Sequence, residues 1–225
     1  MVFSSPIFLF LFLPLALFFY YLNFKRLRNL TLLVASLIFY SWGEPKFIFF
    51  VIFACILNHR LSFLIYKNQA NFSERKAKFW FWVAVFFNIG SLVFFKYTNF
   101  ILNNLDLILQ SLNIPGLSLS PIRLPLGISF ITFHSLSYIF DVYRKEVTPR
   151  KSIPELVLYI VLFPQLIAGP IIRYHDIEGQ LTRRNGNVEK FYYGIKRFIT
   201  GLSKKILIAN NIGAVADHVF AMPEL

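Results

Sequence analysis

The sequence predicts an all-α polytopic membrane protein, in which transmembrane helices are joined by interfacial and re-entrant ones. Three observations predict it. Of 225 residues, 56% are hydrophobic and only 15% charged, and mean hydropathy is +0.58, whereas a soluble domain carries about a quarter charged residues. Phenylalanine alone fills 28 positions, more aromatic surface than a soluble core of this size buries, but lipid accepts it without cost. Lysines and arginines cluster between the apolar runs, as the positive-inside rule arranges them. The net charge of +12 is therefore a membrane signature. A nucleic-acid surface would spread its cations along one helix face. Membrane lipid is the expected partner and nucleic acid is not.

The first apolar run, 6–22, reads as a span. The basic cluster Lys25, Arg26 and Arg28 follows it rather than preceding it, so the run is an uncleaved anchor with its N-terminus outside, not a secretory signal. The apolar stretch 30–66 is interrupted by "SWGEPK", where Gly43 and Pro45 end helices. Loop 67–78 carries Lys67, Arg75, Lys76 and Lys78. It shares a side with loop 23–29 only if the chain crosses twice between them, at 30–42 and 47–66. Residues 79–95 cross outward. In 100–112 the apolar Ile101, Leu105, Ile108 and Leu112 recur at helical spacing, with Asn103, Asn104, Asp106 and Gln110 on other faces, so this segment is expected to lie in the outer interface. A loop over 113–121 leads to a returning span at 124–140. Arg144, Lys145, Arg150 and Lys151 follow it on the cytoplasmic side.

The run 156–172 is expected to be re-entrant. Pro164, Gly169 and Pro170 interrupt it, and eight basic residues follow between Arg173 and Lys205. A crossing would put all eight outside. Backbone freed by the prolines must be met by protein or by a water-filled cavity, so the stretch predicts a funnel or channel wall broken at Gly169-Pro170. The region 190–215 is amphipathic and basic, and is expected on the cytoplasmic face.

Few residues are equipped for chemistry. Cys55 is the only cysteine, which excludes an internal disulfide and a cysteine-based metal site. No nucleotide-binding glycine loop, His-Glu-x-x-His or Gly-x-Ser-x-Gly occurs. His59 reads as a helix-end residue. His134 lies inside a span, where an ionisable group is either functional or a neutral imidazole bonded to a neighbouring helix. His175 stands beside Arg173 and Asp176, and a carboxylate there could orient the imidazole; the preferred reading is a polar loop after a broken helix. Asp141 and Arg144, three apart, can pair, either lining a cavity mouth or as an interfacial ion pair. Arg173 could hold an anionic acyl carrier or snorkel to lipid phosphates. By residue chemistry alone, enzyme, transporter and scaffold all remain open.

Four stretches add a resemblance: "VFSSPIFLFLFLPL" at 2–15, "LPLGISFITFHSLSYIFDVYR" at 124–144, "FPQLIAGPIIRYHDI" at 163–177 and "GLSKKILIANNIGAVAD" at 201–217. In content and order the sequence resembles the membrane-bound O-acyltransferase family, and within it the bacterial alginate O-acetyltransferase type. The resemblance implies a partial membrane-bound O-acyltransferase fold with a central funnel. An acetyl thioester donor such as acetyl-CoA would approach from the cytoplasm. The acetyl group would pass to an extracytoplasmic polysaccharide, or to a partner acetyltransferase, in the bacterial inner membrane. Funnel-lining or donor-binding roles would fall to His134, Asp141, Arg144, Gln165, Arg173 and His175. The family's catalytic histidine follows a tryptophan, and a second marked histidine lies in a Trp-Arg-Arg-Trp-His-like stretch. Neither occurs here: Trp42, Trp80 and Trp82 all precede other residues. At the position of His134 the family accepts glutamine or glutamate. The expectation is an N-terminal part, inactive without a C-terminal half. The rival is a transport or scaffold subunit with no chemistry of its own.

Overall fold

The computed structural model describes residues 4–112, 120–166, 169–182, 184 and 186–222. Most of the loop expected over 113–121 and positions 167–168 of the 156–172 run lie outside the described residues. Within them the chain is all-helical, and it divides into two compact units, Ala16–Thr182 and a second made of Met1–Leu15 with Arg183–Leu225.

The described chain begins in an apolar helix, whose residues up to Leu15 belong to the smaller unit. A π-helical turn, Phe8–Phe12, runs into α1, Leu13–Leu22. Next come α2, Arg28–Gly43, and α3, Ile48–Ala70, parted where Gly43 and Pro45 remove helix-compatible backbone. At 1.5 Å per residue α3 is about 35 Å long, enough to cross a hydrocarbon core of about 30 Å. It ends in a Schellman turn: Phe72 takes φ 56°, and the N–H of Ser73 reaches back to Asn68 O at 2.9 Å.

Helix α4, Glu74–Ser111, is continuous. The separation expected between a span at 79–95 and a flat helix at 100–112 is absent. The reason is local: Lys96, Tyr97, Thr98 and Asn99 include no glycine or proline, so nothing breaks the backbone ladder. Thr98 and Asn104 side chains bond back to the carbonyls of Phe94 and Phe100, one turn earlier. Asn99 turns outward and grips Ile122 at both backbone atoms, 2.7 and 2.8 Å. At about 57 Å, α4 exceeds the thickness of a bilayer core. Both α3 and α4 are long and apolar enough to cross a membrane.

Helix α5, Ile128–Tyr143, starts at Gly127 in the left-handed region, φ 70°. A Cβ there would stand 2.9 Å from the carbonyl oxygen of Leu166, so glycine serves both the turn and the close approach of the later segment. The helix closes in a second Schellman turn, Glu146 N–H to Asp141 O at 2.9 Å, with Lys145 at φ 65°.

Then α6, Ile153–Val161, and the single turn α7, Phe163–Leu166, pack through the middle of the unit. The break between them is at Leu162, ahead of Gly169-Pro170. Pro164 has no N–H for the carbonyl of Ile160, and its ring clashes with that carbonyl. The freed groups find protein partners: the Gln165 side chain donates to Tyr159 O, and Phe163 N–H donates to Ser36 Oγ at 3.2 Å. Residues Leu156 through Val161 are buried on every side. Of the two partners expected for the freed backbone, protein and a water-filled cavity, these groups find protein.

Three contacts gather the ends of these elements. Gln69 Nε2 donates to Tyr143 O at 2.8 Å. Asn29 Nδ2 donates to Leu181 O at 2.7 Å, at the end of α8, Tyr174–Thr182. Arg150 meets Glu178 of α8 at 3.5 Å. The start of α2, the end of α3, the loop after α5 and all of α8 therefore sit at one end of the unit. Helix α6 enters from that end, breaks beside Ser36 midway along α2, and the chain is back at it by α8.

The smaller unit holds α9, Val188–Lys204, a π-helical turn, Lys205–Ala209, and α10, Asn210–Phe220. Asn187 caps α9 by accepting from Lys190 N–H at 2.8 Å. No residue of α9 or α10 is buried.

Candidate functional site

Two sets of polar residues in the larger unit lie on either side of Tyr159. The inner set is His134, Ser135 and Gln165. All three are buried, on α5 and α7. The His134 ring stands edge-on to Tyr159, centroids 5.4 Å apart. The Phe130 carbonyl, four residues back, is near the ring, but neither ring nitrogen makes a well-aligned hydrogen bond. The expectation that His134 bonds a neighbouring helix is therefore not met. Ser135 Oγ and Gln165 Oε1 are also unpartnered. Several unpaired polar atoms inside an apolar bundle are costly, since each forfeits a bond worth about 1–3 kcal/mol when buried.

The outer set centres on Arg150, which the sequence reading treats only as one of a basic cluster. Its guanidinium meets Glu155 at 3.6 Å and Glu178 at 3.5 Å, donates to the Glu178 carbonyl at 3.2 Å and donates through Nε to the Tyr174 hydroxyl. Its backbone N–H donates to Tyr138 OH at 3.1 Å, and its carbonyl accepts from His59 Nε2 at 2.8 Å. Ser62 gives its proton to His59 O at 2.7 Å, so Tyr138 is the donor in the 3.1 Å contact between their hydroxyls. His59 is thus a buried fastener inside α3, not a helix-end residue. Tyr138, Tyr174 and Tyr159 stack edge to face in series, centroids 4.9 and 5.0 Å apart, and Tyr159 OH donates to Ile172 O at 2.8 Å. One ladder of tyrosines links the Arg150 cluster to His134. Burial pushes the Tyr174 phenol up from its ordinary value, so it remains a neutral donor and acceptor.

The other expected residues are placed differently. Asp141 is buried and accepts from the His175 backbone N–H at 3.2 Å. It does not pair with Arg144, whose guanidinium points away over the Phe140 ring, 5.9 Å from its centroid. Arg173 and His175 are exposed, and the His175 ring lies 3.4 Å from Asp176. The structure brings His134 and Gln165 together at Tyr159, and Asp141, Arg173 and His175 together where α5 meets α8. It leaves Arg144 outside both groups. Sequence reasoning missed Arg150 and the tyrosines. The available signal was that Tyr138, Tyr159 and Tyr174 lie in apolar segments, where a buried phenol needs a partner.

Comparison with known proteins gives these groups a setting. The family model described as MBOAT, membrane-bound O-acyltransferase family, matches residues 62–225. The chain is 40% identical over 222 residues to "Probable alginate O-acetylase AlgI" of Pseudomonas aeruginosa, covering 99% of this chain and 42% of that protein. It is 38% identical over 224 residues to the protein of the same name from Azotobacter vinelandii, covering 100% of this chain and 44% of that one. It is 30% identical over 252 residues to the "Peptidoglycan O-acetyltransferase" of Helicobacter pylori, covering 98% of this chain and 46% of that protein. No solved structure matches. The chain spans less than half the length of these relatives and corresponds to their N-terminal part. A family match over residues 62–225, in an all-helical protein with two helices able to span a membrane, places this chain in the membrane-bound O-acyltransferase family.

Proposed function

We propose that this chain is the N-terminal, donor-side portion of a polysaccharide O-acetyltransferase in the bacterial inner membrane. The observation that carries the reading is the set of unpaired polar atoms on His134, Ser135 and Gln165, buried where α6 breaks, in a member of an acyl-transferring family. An acetyl thioester such as acetyl-CoA approaches from the cytoplasm. The acetyl carbon leaves the thioester sulfur for a hydroxyl oxygen. The hydroxyl proton goes to a base outside this chain, and the thiol departs protonated. The acceptor is an extracytoplasmic polysaccharide of the alginate or peptidoglycan kind that the relatives' names carry, or a partner acetyltransferase that modifies it. In this reading His134 and Gln165 line the deep end of the donor path, and Asp141, Arg173 and His175 its mouth. The C-terminal half supplies the remaining wall and the base.

The end of the larger unit where 23–29, 67–78, 144–152 and α8 gather is the cytoplasmic one. Its cations, Lys25, Lys67, Arg75, Lys76, Arg144, Lys145 and Lys151, support this. Single cysteines in these loops, in a Cys55→Ala background, should resist a membrane-impermeant thiol reagent in intact cells. Strong labelling within 67–78 would overturn the arrangement.

The site itself is tested in an enzyme reassembled from this chain and a C-terminal half. His134→Gln should retain most activity, because an amide keeps a donor and an acceptor at the same place. His134→Leu, of similar volume, should lose at least about tenfold, the equivalent of one well-placed hydrogen bond. Unchanged turnover in His134→Leu, at equal membrane abundance, would remove His134 from the site.

A further inference from the structure

We propose that α9 is a docking helix for an anionic lipid surface. At 100° per residue, Val188, Tyr192, Ile195, Phe198, Ile199 and Leu202 fall in one arc of about 120°. Lys190, Arg197 and Lys204 fall together on the opposite side, with Lys196 on the flank. Glu189 is the only acid in the helix. Of these six residues Leu202 is half-buried and the other five are exposed, and among the described residues of its own unit no core covers them, where an apolar stripe this regular would normally face one. A uniformly cationic back suits a surface of phosphate headgroups. The arc enters the acyl boundary while the lysine and arginine stems reach back to the phosphates.

A separate contact places the helix at a membrane boundary. Lys205, immediately after α9, donates from Nζ to Ser4 Oγ at 3.2 Å. Ser4 directly precedes the apolar helix that begins at Phe8 and runs to Leu22, so it stands where that helix leaves lipid for water. Lys205 stands at the same boundary. Charge counting alone sends Ser4 outside and the 190–215 region inside; the bond puts them on one face. The docking surface is therefore the leaflet at which the first helix begins.

The experiment uses the whole chain with Cys55→Ala, reconstituted in phosphatidylglycerol-containing vesicles and, in parallel, in pure phosphatidylcholine. Nitroxide labels replace Ile195, Phe198, Arg197 or Lys204 in turn. Labels at 195 and 198 should collide with dissolved oxygen and be shielded from a water-soluble nickel chelate, with the reverse at 197 and 204. The contrast should weaken in phosphatidylcholine. With labels at 195 or 198, the preference for oxygen over the nickel chelate should also weaken in the Lys190→Gln, Arg197→Gln, Lys204→Gln variant, whose docked-to-undocked ratio should fall on the order of a hundredfold, at about fivefold per cation. Labels at 195 and 198 shielded from both reagents would mean that protein covers the arc. Equal exposure of all four positions to the nickel chelate would mean that water does. Contrast indifferent to anionic lipid would remove the charged surface as the partner. Cysteines at Ser4 and Lys205 should react from the same side of the vesicle, and reaction from opposite sides would overturn the boundary placement.

Discussion

Expressed by itself in a strain lacking its own polysaccharide O-acetyltransferase, the 225-residue chain should leave the polysaccharide unacetylated. Acetyl transfer to a hydroxyl needs a base within about 3 Å of the attacking oxygen, in a site closed to water. The chain's histidines do not meet both conditions. His134 is enclosed, with its ring edge-on to Tyr159 and neither ring nitrogen exposed to a polymer hydroxyl. His59 already donates to the Arg150 carbonyl. His175 has a carboxylate beside it, but both side chains are 59% exposed, and an imidazole in open water has no held substrate to deprotonate. His218 sits on α10, where no residue is buried. The Trp-His pair that the family resemblance implies is absent from these residues. Supplying the C-terminal half of a relative in trans should restore acetylation, read as polysaccharide-bound acetate. Acetylation by the chain alone, lost again on His134→Leu or His175→Ala, would show that the base is already present and wrongly assigned.

What the sequence could reveal follows the range of the forces involved. Apolar runs, basic clusters and helix breakers act locally, which is why the parting of α2 from α3 at Gly43 and Pro45 can be read from the letters. The join inside α4 could not. The change from an apolar to an amphipathic pattern near residue 96 suggests a new element, but a pattern change does not break a backbone. The halt at Leu162 illustrates a finer limit. Pro164 announces a break, yet Gly169-Pro170 is the louder signal. The choice rested on whether freed groups could be met, which depends on Ser36, more than a hundred residues away. The site divides in the same way. His134 and Gln165 stand out as polar letters in apolar runs. Arg150 sits in a basic loop where most cations are solvated, and nothing local distinguishes it from Lys151. Its role comes from Tyr138, Tyr174, Glu155 and Glu178, which only the fold assembles.

Replacing that arginine should be the most damaging single change to the larger unit. Arg150→Leu leaves Glu155 and Glu178 without their shared cation and takes a donor from Tyr174. Breaking a fully buried ion pair by removing one partner costs about 3–5 kcal/mol. Here the guanidinium side chain is 16% exposed and the two carboxylates 31% and 33%, so solvent screens part of the loss, and about 2–3 kcal/mol is expected. For a domain of this size that corresponds to a melting temperature lower by about 4–12 °C. Arg150→Lys should recover little, since one ammonium cannot serve two carboxylates, a carbonyl and a phenol with the geometry of a planar fork. Adding Glu155→Gln and Glu178→Gln to Arg150→Leu should return part of the stability, because the two carboxylates that faced the guanidinium are then neutral. Thermal unfolding of the detergent-solubilised chain measures all of these. The same variant separates packing from chemistry: α8 is held to the loop after α5 through Arg150, so Arg150→Leu should loosen Asp141 and His175 while leaving His134 enclosed. Protease cleavage should then rise within 174–182 and stay unchanged within 128–143. A melting temperature within about one degree of the parent, with α8 still protected, would mean that the tyrosines and the Asp141 bond hold the end of the bundle without the cation.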